Sequence, residues 1–263
     1  MNDQARARRL LKSDLRKALA AEEFEIFYQP LFNLTDRAIS GFEALLRWHH
    51  PERGLVLPAE FIPLAEETEL IVPLGEWVLR QACHEAASWP GQQRIAVNIS
   101  PVQFRSPRLM RCILAALTSS EMPAHRLELE ITETVLLSDN SETIDLLHQL
   151  RSVGVRISLD DFGTGYSSLG YLRRFPFDKM KIDRSFVRDL GCDEGTMAIV
   201  RALINLANSL GMATTAEGVE TREQLEWLQK ECCTEIQGYI ISRPVPHKDI
   251  RLLLESDQLR NVA

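Results

Sequence analysis

Eight strand-like runs, separated mostly by helical stretches, constrain this chain more than any other feature. The runs are FEIFYQP (24–30), ISGFEALLRW (39–48), RIAVNIS (94–100), LELEIT (127–132), RISLDDF (156–162), KMKIDRS (179–185), MATTAEG (212–218) and EIQGYI (235–240). Apolar residues at helical spacing predict helices over 75–89, 107–118, 141–152, 194–210, 221–230 and 247–255. Strands that alternate with helices form a parallel sheet, and eight is the number that closes a barrel of about 250 residues. With 263 residues, one barrel uses nearly the whole chain. The link between the first two runs, 31–38, is too short for a crossover helix, so the first strand is predicted to be antiparallel. The expected fold is α/β, a modified TIM (β/α)8 barrel with its first strand antiparallel. Ahead of it, Leu10, Leu11, Leu15 and Leu19 recur at helical spacing among Arg and Lys, which predicts a connecting helix within 1–20 with a solvated basic face.

Composition narrows the function classes. Lys+Arg 30 against Asp+Glu 37 leaves a net charge of −7, which disfavours nucleic-acid binding, since that requires clustered positive charge. The five cysteines are odd in number and lack CxxC spacing, so free thiols are expected. No apolar run approaches the roughly 20 residues of a membrane span, and the N-terminus does not resemble a signal peptide. The sequence therefore predicts a soluble, cytoplasmic protein, including the case of a cytosolic part of a larger, membrane-tethered one.

Strands covered on both faces should be nearly continuous apolar runs. Here each run after the first carries polar groups near its C-terminal end: Glu43 and Arg47, Asn98, Glu130 and Glu133, Asp160 and Asp161, Lys181 and Asp183, Glu217 and Glu220, and Gln237. That end of a barrel is where catalytic groups gather. So many carboxylates at one mouth need compensating cations, because each desolvated like charge costs several kcal/mol. One Lys and one Arg are too few. Oxygen donors without His or Cys select Mg²⁺ or Mn²⁺, and adjacent Asp160-Asp161 suits two ions, the apparatus for attack of water on a phosphodiester. Taken singly, Asp161 reads equally as a helix N-cap, Glu43 as an ion-pair partner of Arg47 or Lys181, and Asn98 as turn chemistry. Their coincidence at one rim favours a site.

The motifs Glu43-Ala44-Leu45 with Leu46-Arg47-Trp48, YQP (28–30), FIPLAEE (61–67), VNIS (97–100), EITE (130–133), DDFGTGYSSL (160–169), KIDRSFV (181–187), AEGVE (216–220) and QGYIISRP (237–244) resemble, in order, those of the EAL-domain cyclic-di-GMP phosphodiesterases. The similarity covers residues 13–255, leaving 256–263 as a tail. It implies that Glu43, Asn98, Glu130 and Asp160 hold one metal, and that Asp161 serves a second with bridging Asp160. Glu217 lies near that second ion, as direct ligand, ligand through water, or base. Lys181 matches the lysine that contacts the attacking water, and it is expected to have a depressed pKa beside the ions. Glu133 matches the glutamate that anchors the loop 162–169. Gln29, Arg47 and Gln237, with Glu220, match positions near the dinucleotide. The implied cofactors are Mg²⁺ or Mn²⁺, two per site. The implied partners are cyclic-di-GMP, a second copy joined through segments around the fifth and sixth strands, and an upstream sensory or GGDEF-type domain.

Two alternatives stay open: a receptor that binds cyclic-di-GMP without cleaving it, or a catalytically silent interaction module; and another Mg²⁺-dependent barrel of enolase or aldolase type. His49-His50 read as surface or packing residues. The chain departs from the family at Cys232-Cys233-Thr234, where Gly-Cys-Asp is common, and at Ile241, where an aromatic residue is frequent. An altered turn into the last strand is expected there, with consequences for affinity or regulation.

Overall fold

The computed structural model describes residues 2–136, 141–163, 170, 172, 175 and 177–255. Strand β1 (Phe24–Asn33) pairs antiparallel with β2 (Ala38–His50), which a short β3 (Gly54–Val56) extends at its far end. Strands β4 (Arg94–Asn98), β5 (Leu127–Thr132), β6 (Arg156–Phe162), β7 (Lys179–Ile182), β8 (Ala213–Glu217) and β9 (Glu235–Gln237) follow β2 in parallel order. β1 then pairs antiparallel with β9 and closes the ring, while β10 (Val245–Pro246) adds two residues outside β1. The result is a closed eight-stranded α/β barrel of the modified TIM type, with β1 antiparallel to both neighbours.

The helices follow their expected positions except in the first crossover. There two helices, α2 (Pro58–Glu67) and α3 (Ile71–Ala87), replace the single helix expected from residue 75. Pro58 lies in the first turn of α2, where its missing N–H costs nothing. Pro73 falls in the first turn of α3 for the same reason, so it does not break the helix that the sequence placed after it. At the other end of the chain the helix expected over 247–255 begins as a single 3₁₀ turn, His247–Asp249, before Ile250–Glu255.

Helix α1 (Asn2–Ala18) is docked rather than merely solvated. Leu11, Leu15 and Ala18 are buried with Phe24, Trp48 and Phe61. Arg8 and Lys12 pair with Glu67 of α2, and His50 Nε2 lies 3.3 Å from Asp14 Oδ2. His50 is therefore a buried anchor whose Nδ1 accepts the Glu52 and Arg53 N–H groups, whereas His49 is exposed and pairs with Glu25.

At Cys232-Cys233-Thr234 the turn into the last strand is closed by hydrogen bonds. The helix Arg222–Lys230 ends with Cys232 N–H donating to Gln229 and Cys233 N–H to Leu228, so Cys232 takes the left-handed position, φ 61°, that glycine usually fills. Thr234 and Thr214 then exchange reciprocal bonds, each side-chain oxygen accepting the other's N–H at 3.0 and 3.2 Å. Ile241 is buried in the core cluster around Phe32 and Ile236. Among the described residues no helix is long and apolar enough to cross a membrane, and all five cysteines are free.

Candidate active site at the barrel mouth

Side chains alternate along a strand, and in a barrel alternate strands fill layers of four. From β2, β5, β7 and β9 come Glu43, Glu130, Lys181 and Gln237, all buried. From β1, β4, β6 and β8 come Gln29, Asn98, Asp160 and Glu217, which are more open toward the rim. Barrel interiors are usually packed with bulky apolar residues, so eight polar side chains in two layers mark a site.

Lys181 is the centre. Its ammonium lies 2.6 Å from Glu217 Oε1, 2.7 Å from Glu130 Oε2, 3.3 Å from Asp160 Oδ1 and 3.7 Å from Glu43 Oε2. Glu43 is held on its other edges by Asn98 Nδ2, donating to Oε1 at 2.7 Å, and by Gln237 Nε2, donating to Oε2 at 2.7 Å. The Gln237 amide also donates to Gln29 Oε1 at 3.1 Å. Seven of the residues singled out in the sequence thus form one contiguous network with Lys181 at its heart.

Electrostatics separates these acids. Burial alone would raise Glu43, but Lys181 and the amides of Gln237 and Asn98 outweigh it and hold this carboxyl below its usual range. Burial and then the Glu43 charge push Glu130 well above the ordinary carboxylate value, against the pull of Lys181. Burial likewise lifts Glu217 to about 7, opposed by Lys181 and reinforced by Asp160 and Glu43. Burial disfavours the Lys181 charge, yet the four carboxylates around it more than compensate, and the ammonium is held well above its ordinary value. The depressed lysine expected from the sequence concerns Lys181 beside bound cations, whose charge would oppose this pull.

Asp160 and Asp161 would face opposite sides of a regular strand. The β6–β7 register shifts between Leu159 and Phe162, and Asp161 adopts φ 53°, so a bulge interrupts the alternation here. Asp161 N–H donates to Asp160 Oδ1 at 3.0 Å, and its carboxyl is raised by partial desolvation and then by the Asp160 and Asp183 charges, so it belongs to the same field. A non-glycine residue in this conformation stores strain of order 1–3 kcal/mol, which such sites tolerate. Asp183 itself caps the helix Arg184–Arg188 by accepting Ser185 N–H.

Glu133 Oε1 accepts Gly163 N–H at 2.8 Å, tying the end of β5 to the segment after β6; residues 164–169 of that loop lie outside the described ones. Arg47 is half-buried at the rim, with its guanidinium 5.5 Å from the Phe27 ring centroid and Nη1 donating to the Leu46 carbonyl, so no Glu43–Arg47 pair forms among the described residues. Glu220 is exposed; its backbone N–H is taken by Gln224, and no described contact joins its side chain to the network.

The donors fit hard divalent cations. Four carboxylates face a single ammonium, and Glu130 Oε1 and Gln237 Oε1 are buried without a hydrogen-bond partner. Among the described residues no three acidic, His or Cys side chains already form a coordination cage; the oxygens are gathered on the Lys181 ammonium instead.

Sequence reasoning missed a second charged layer. Glu128, Lys179 and Glu235 are fully buried inside the barrel, two residues before Glu130, Lys181 and Gln237. The signal was present in the doublets Glu128-x-Glu130, Lys179-x-Lys181 and Glu235-x-Gln237, since polar residues two apart share one strand face.

Comparison with known proteins agrees with this geometry. A family model described as "EAL domain" matches residues 12–244. The chain is 52% identical over 256 residues to protein y4lL of Sinorhizobium fredii, covering 97% of this chain and 31% of that protein. It is 42% identical over 254 residues to the bifunctional diguanylate cyclase/cyclic di-GMP phosphodiesterase MucR of Pseudomonas aeruginosa, covering 95% of this chain and 37% of MucR. The solved structure of the PaMucR phosphodiesterase in its c-di-GMP complex superposes with a TM-score of 0.88 at 42% identity, covering 92% of this chain and 99% of that one. The chain spans about a third of the length of these curated relatives.

Proposed function

This chain belongs to the EAL-domain family, and from that premise we propose that it is a metal-dependent phosphodiesterase that hydrolyses cyclic-di-GMP to linear 5′-pGpG. The observation that carries the proposal is the Lys181-centred network: buried carboxylates in excess over cations, on the strand ends, with unpartnered carbonyl and carboxylate oxygens. Relatives named as cyclic di-GMP phosphodiesterases support the substrate.

Glu43, Asn98, Glu130 and Asp160 would hold one Mg²⁺ or Mn²⁺, and Asp160 with Asp161 a second, with Glu217 beside it. When bound, two such ions supply Lewis-acid activation of water near neutral pH. The protein's own groups do the rest. Lys181 orients the attacking water and offsets the charge that develops on phosphate. Glu217, 2.6 Å from Lys181, is suited to take a proton. Arg47 can donate two parallel hydrogen bonds to a phosphate, and Gln29, Gln237 and Glu220 line the path of the dinucleotide. Water adds to one phosphorus, the P–O3′ bond breaks, and the 3′ oxygen leaves protonated.

The same proposal includes a homodimer joined through segments around β6 and β7, and a cytoplasmic location. Control by an upstream sensory or GGDEF-type domain is supported by relatives about three times as long. Chromatography of cyclic-di-GMP incubated with the protein and Mn²⁺ or Mg²⁺ tests the chemistry. Stoichiometric pGpG that vanishes with chelator and in Asp160→Ala is expected. Tight binding without turnover would replace the enzyme by a receptor, and neither binding nor turnover would refute both.

A further inference from the structure

Beneath the mouth lies a charged layer that the proposed reaction does not touch. Lys179 Nζ lies 2.7 Å from Glu128 Oε1 and 2.7 Å from Glu235 Oε2, joining β7 to β5 on one side and β9 on the other. These strands alternate round the barrel, so Lys179 is a strap across it rather than a link between neighbours. The fourth position of the layer, on β2, is Gly41, where a Cβ would come within 2.7 Å of the Arg94 carbonyl oxygen. Arg94 closes the layer from below, pairing with Glu235 and approaching Glu128 Oε2 to 3.7 Å. At about 3.3 Å per residue, this layer lies about 7 Å further back along the strands than Glu130, Lys181 and Gln237.

Stability is weak ground for such a layer when it is weighed against an apolar one of the same volume. Desolvation of buried ions offsets most of their attraction, and well-packed apolar residues do as well or better. What an ion strap supplies is a fixed height for the strands it ties, because one buried ammonium lies within 2.7 Å of a carboxylate on each side. Glu128 and Glu235 stand two residues before Glu130 and Gln237, and the Gln237 amide in turn holds Glu43.

We propose that Lys179 is a positioning residue: by tying Glu128 to Glu235 it fixes the depth of Glu130 and Gln237, and through Gln237 that of Glu43, and so shapes the oxygen donors for the divalent cations. The inference rests on the metal-dependent function proposed above and concerns how the ligands are held, not which they are.

The test is Mn²⁺ binding, followed by the electron paramagnetic resonance signal of the free ion, alongside turnover and thermal denaturation. Lys179→Met should weaken Mn²⁺ binding about 10–100-fold, the usual effect of losing an outer support of a metal ligand. Its kcat should fall by a larger factor than KM for cyclic-di-GMP rises, because among the dinucleotide positions Gln237 and its partner Gln29 are tied to this layer while Arg47 and Glu220 are not. Leu228→Ala, in the core behind β8 and β9, should lower the melting temperature and leave Mn²⁺ affinity unchanged. If Lys179→Met does not fold, the charge-balanced Glu128→Gln/Lys179→Met replaces it under the same criteria. Mn²⁺ affinity within twofold of wild type, or an equal loss in Leu228→Ala, would overturn the positioning role. Failure of the wild-type protein itself to bind Mn²⁺ would instead sink the metal-dependent reading and the inference with it.

Discussion

Glu130→Gln should make the metal-free protein more stable and the enzyme inactive. Glu130 is buried, and its carboxyl is held well above the ordinary value by burial and by Glu43. A carboxyl whose folded pKa lies above its unfolded one destabilises the native state once pH exceeds the unfolded value of about 4.3, and the penalty grows up to the folded pKa. Glutamine has the same shape, still offers Lys181 an acceptor, and does not titrate. Lys181 keeps Glu43, Asp160 and Glu217 around it. Removing that penalty should add about 1–2 kcal/mol at pH 8, since each pH unit above the unfolded value costs up to about 1.4 kcal/mol, and less at pH 5. For a domain of this size that is about 2–8 °C in melting temperature.

Divalent cations should act in the opposite sense. Mn²⁺ at about 100 times its dissociation constant stabilises wild type by about 2.7 kcal/mol, roughly 5–10 °C. In Glu130→Gln that gain should disappear together with turnover. Thermal denaturation at pH 5 and pH 8, with chelator and with Mn²⁺, checks all four corners. A variant that melts below wild type in chelator at pH 8, or one that keeps the full Mn²⁺ shift, would refute the account of Glu130 as a charge stored for cations.

Other consequences are open to equally direct measurement. Cys232→Gly should raise stability by about 0.5–1 kcal/mol, because glycine removes the left-handed strain while its unfolded-state entropy takes back part of the gain; Cys232→Ala keeps the strain, and an equal gain there in thermal denaturation would discount the explanation. Burial opposes the Glu235 charge, but Lys179 and Arg94 prevail and hold it at about 2, so it contributes about 3 kcal/mol that is present above pH 4.5 and lost as pH falls toward 2. Urea titrations should show Glu235→Gln less stable at neutral pH and with a flatter acid limb; parallel acid limbs in the two proteins would contradict this. Glu133→Ala removes the acceptor of Gly163 N–H and should cost about 10-fold in Mn²⁺ affinity with little change in melting temperature, whereas unchanged affinity would remove Glu133 from the metal-coupled segment.

By itself, the sequence determined the barrel and most of its mouth. The eight apolar runs, the short link 31–38 and the polar residues at strand ends are local patterns, and each follows from strand alternation, loop reach or the cost of unpaired charge. The family motifs then located Glu43, Asn98, Glu130, Asp160, Lys181 and Gln237, which the structure brings into one network. Helix α2 was not read because Pro58 and Pro63 look like breakers; Pro58 stands in the first turn, where it is harmless, and Pro63 lies within the helix, which forms all the same.

Only the tertiary structure decided which partners these charges take. Nothing local says that Lys181 faces four carboxylates, because those carboxylates come from four other strands and meet only when the ring closes. The same closure turned Glu128, Lys179 and Glu235 inward as a second layer, and the bulge at Asp160-Asp161 defeated the alternation that would separate two neighbouring acids. Pattern fixes which face of a strand a residue occupies; register, bulge and burial fix how deep it lies and what it meets, and it is depth and company that set the charge of each group.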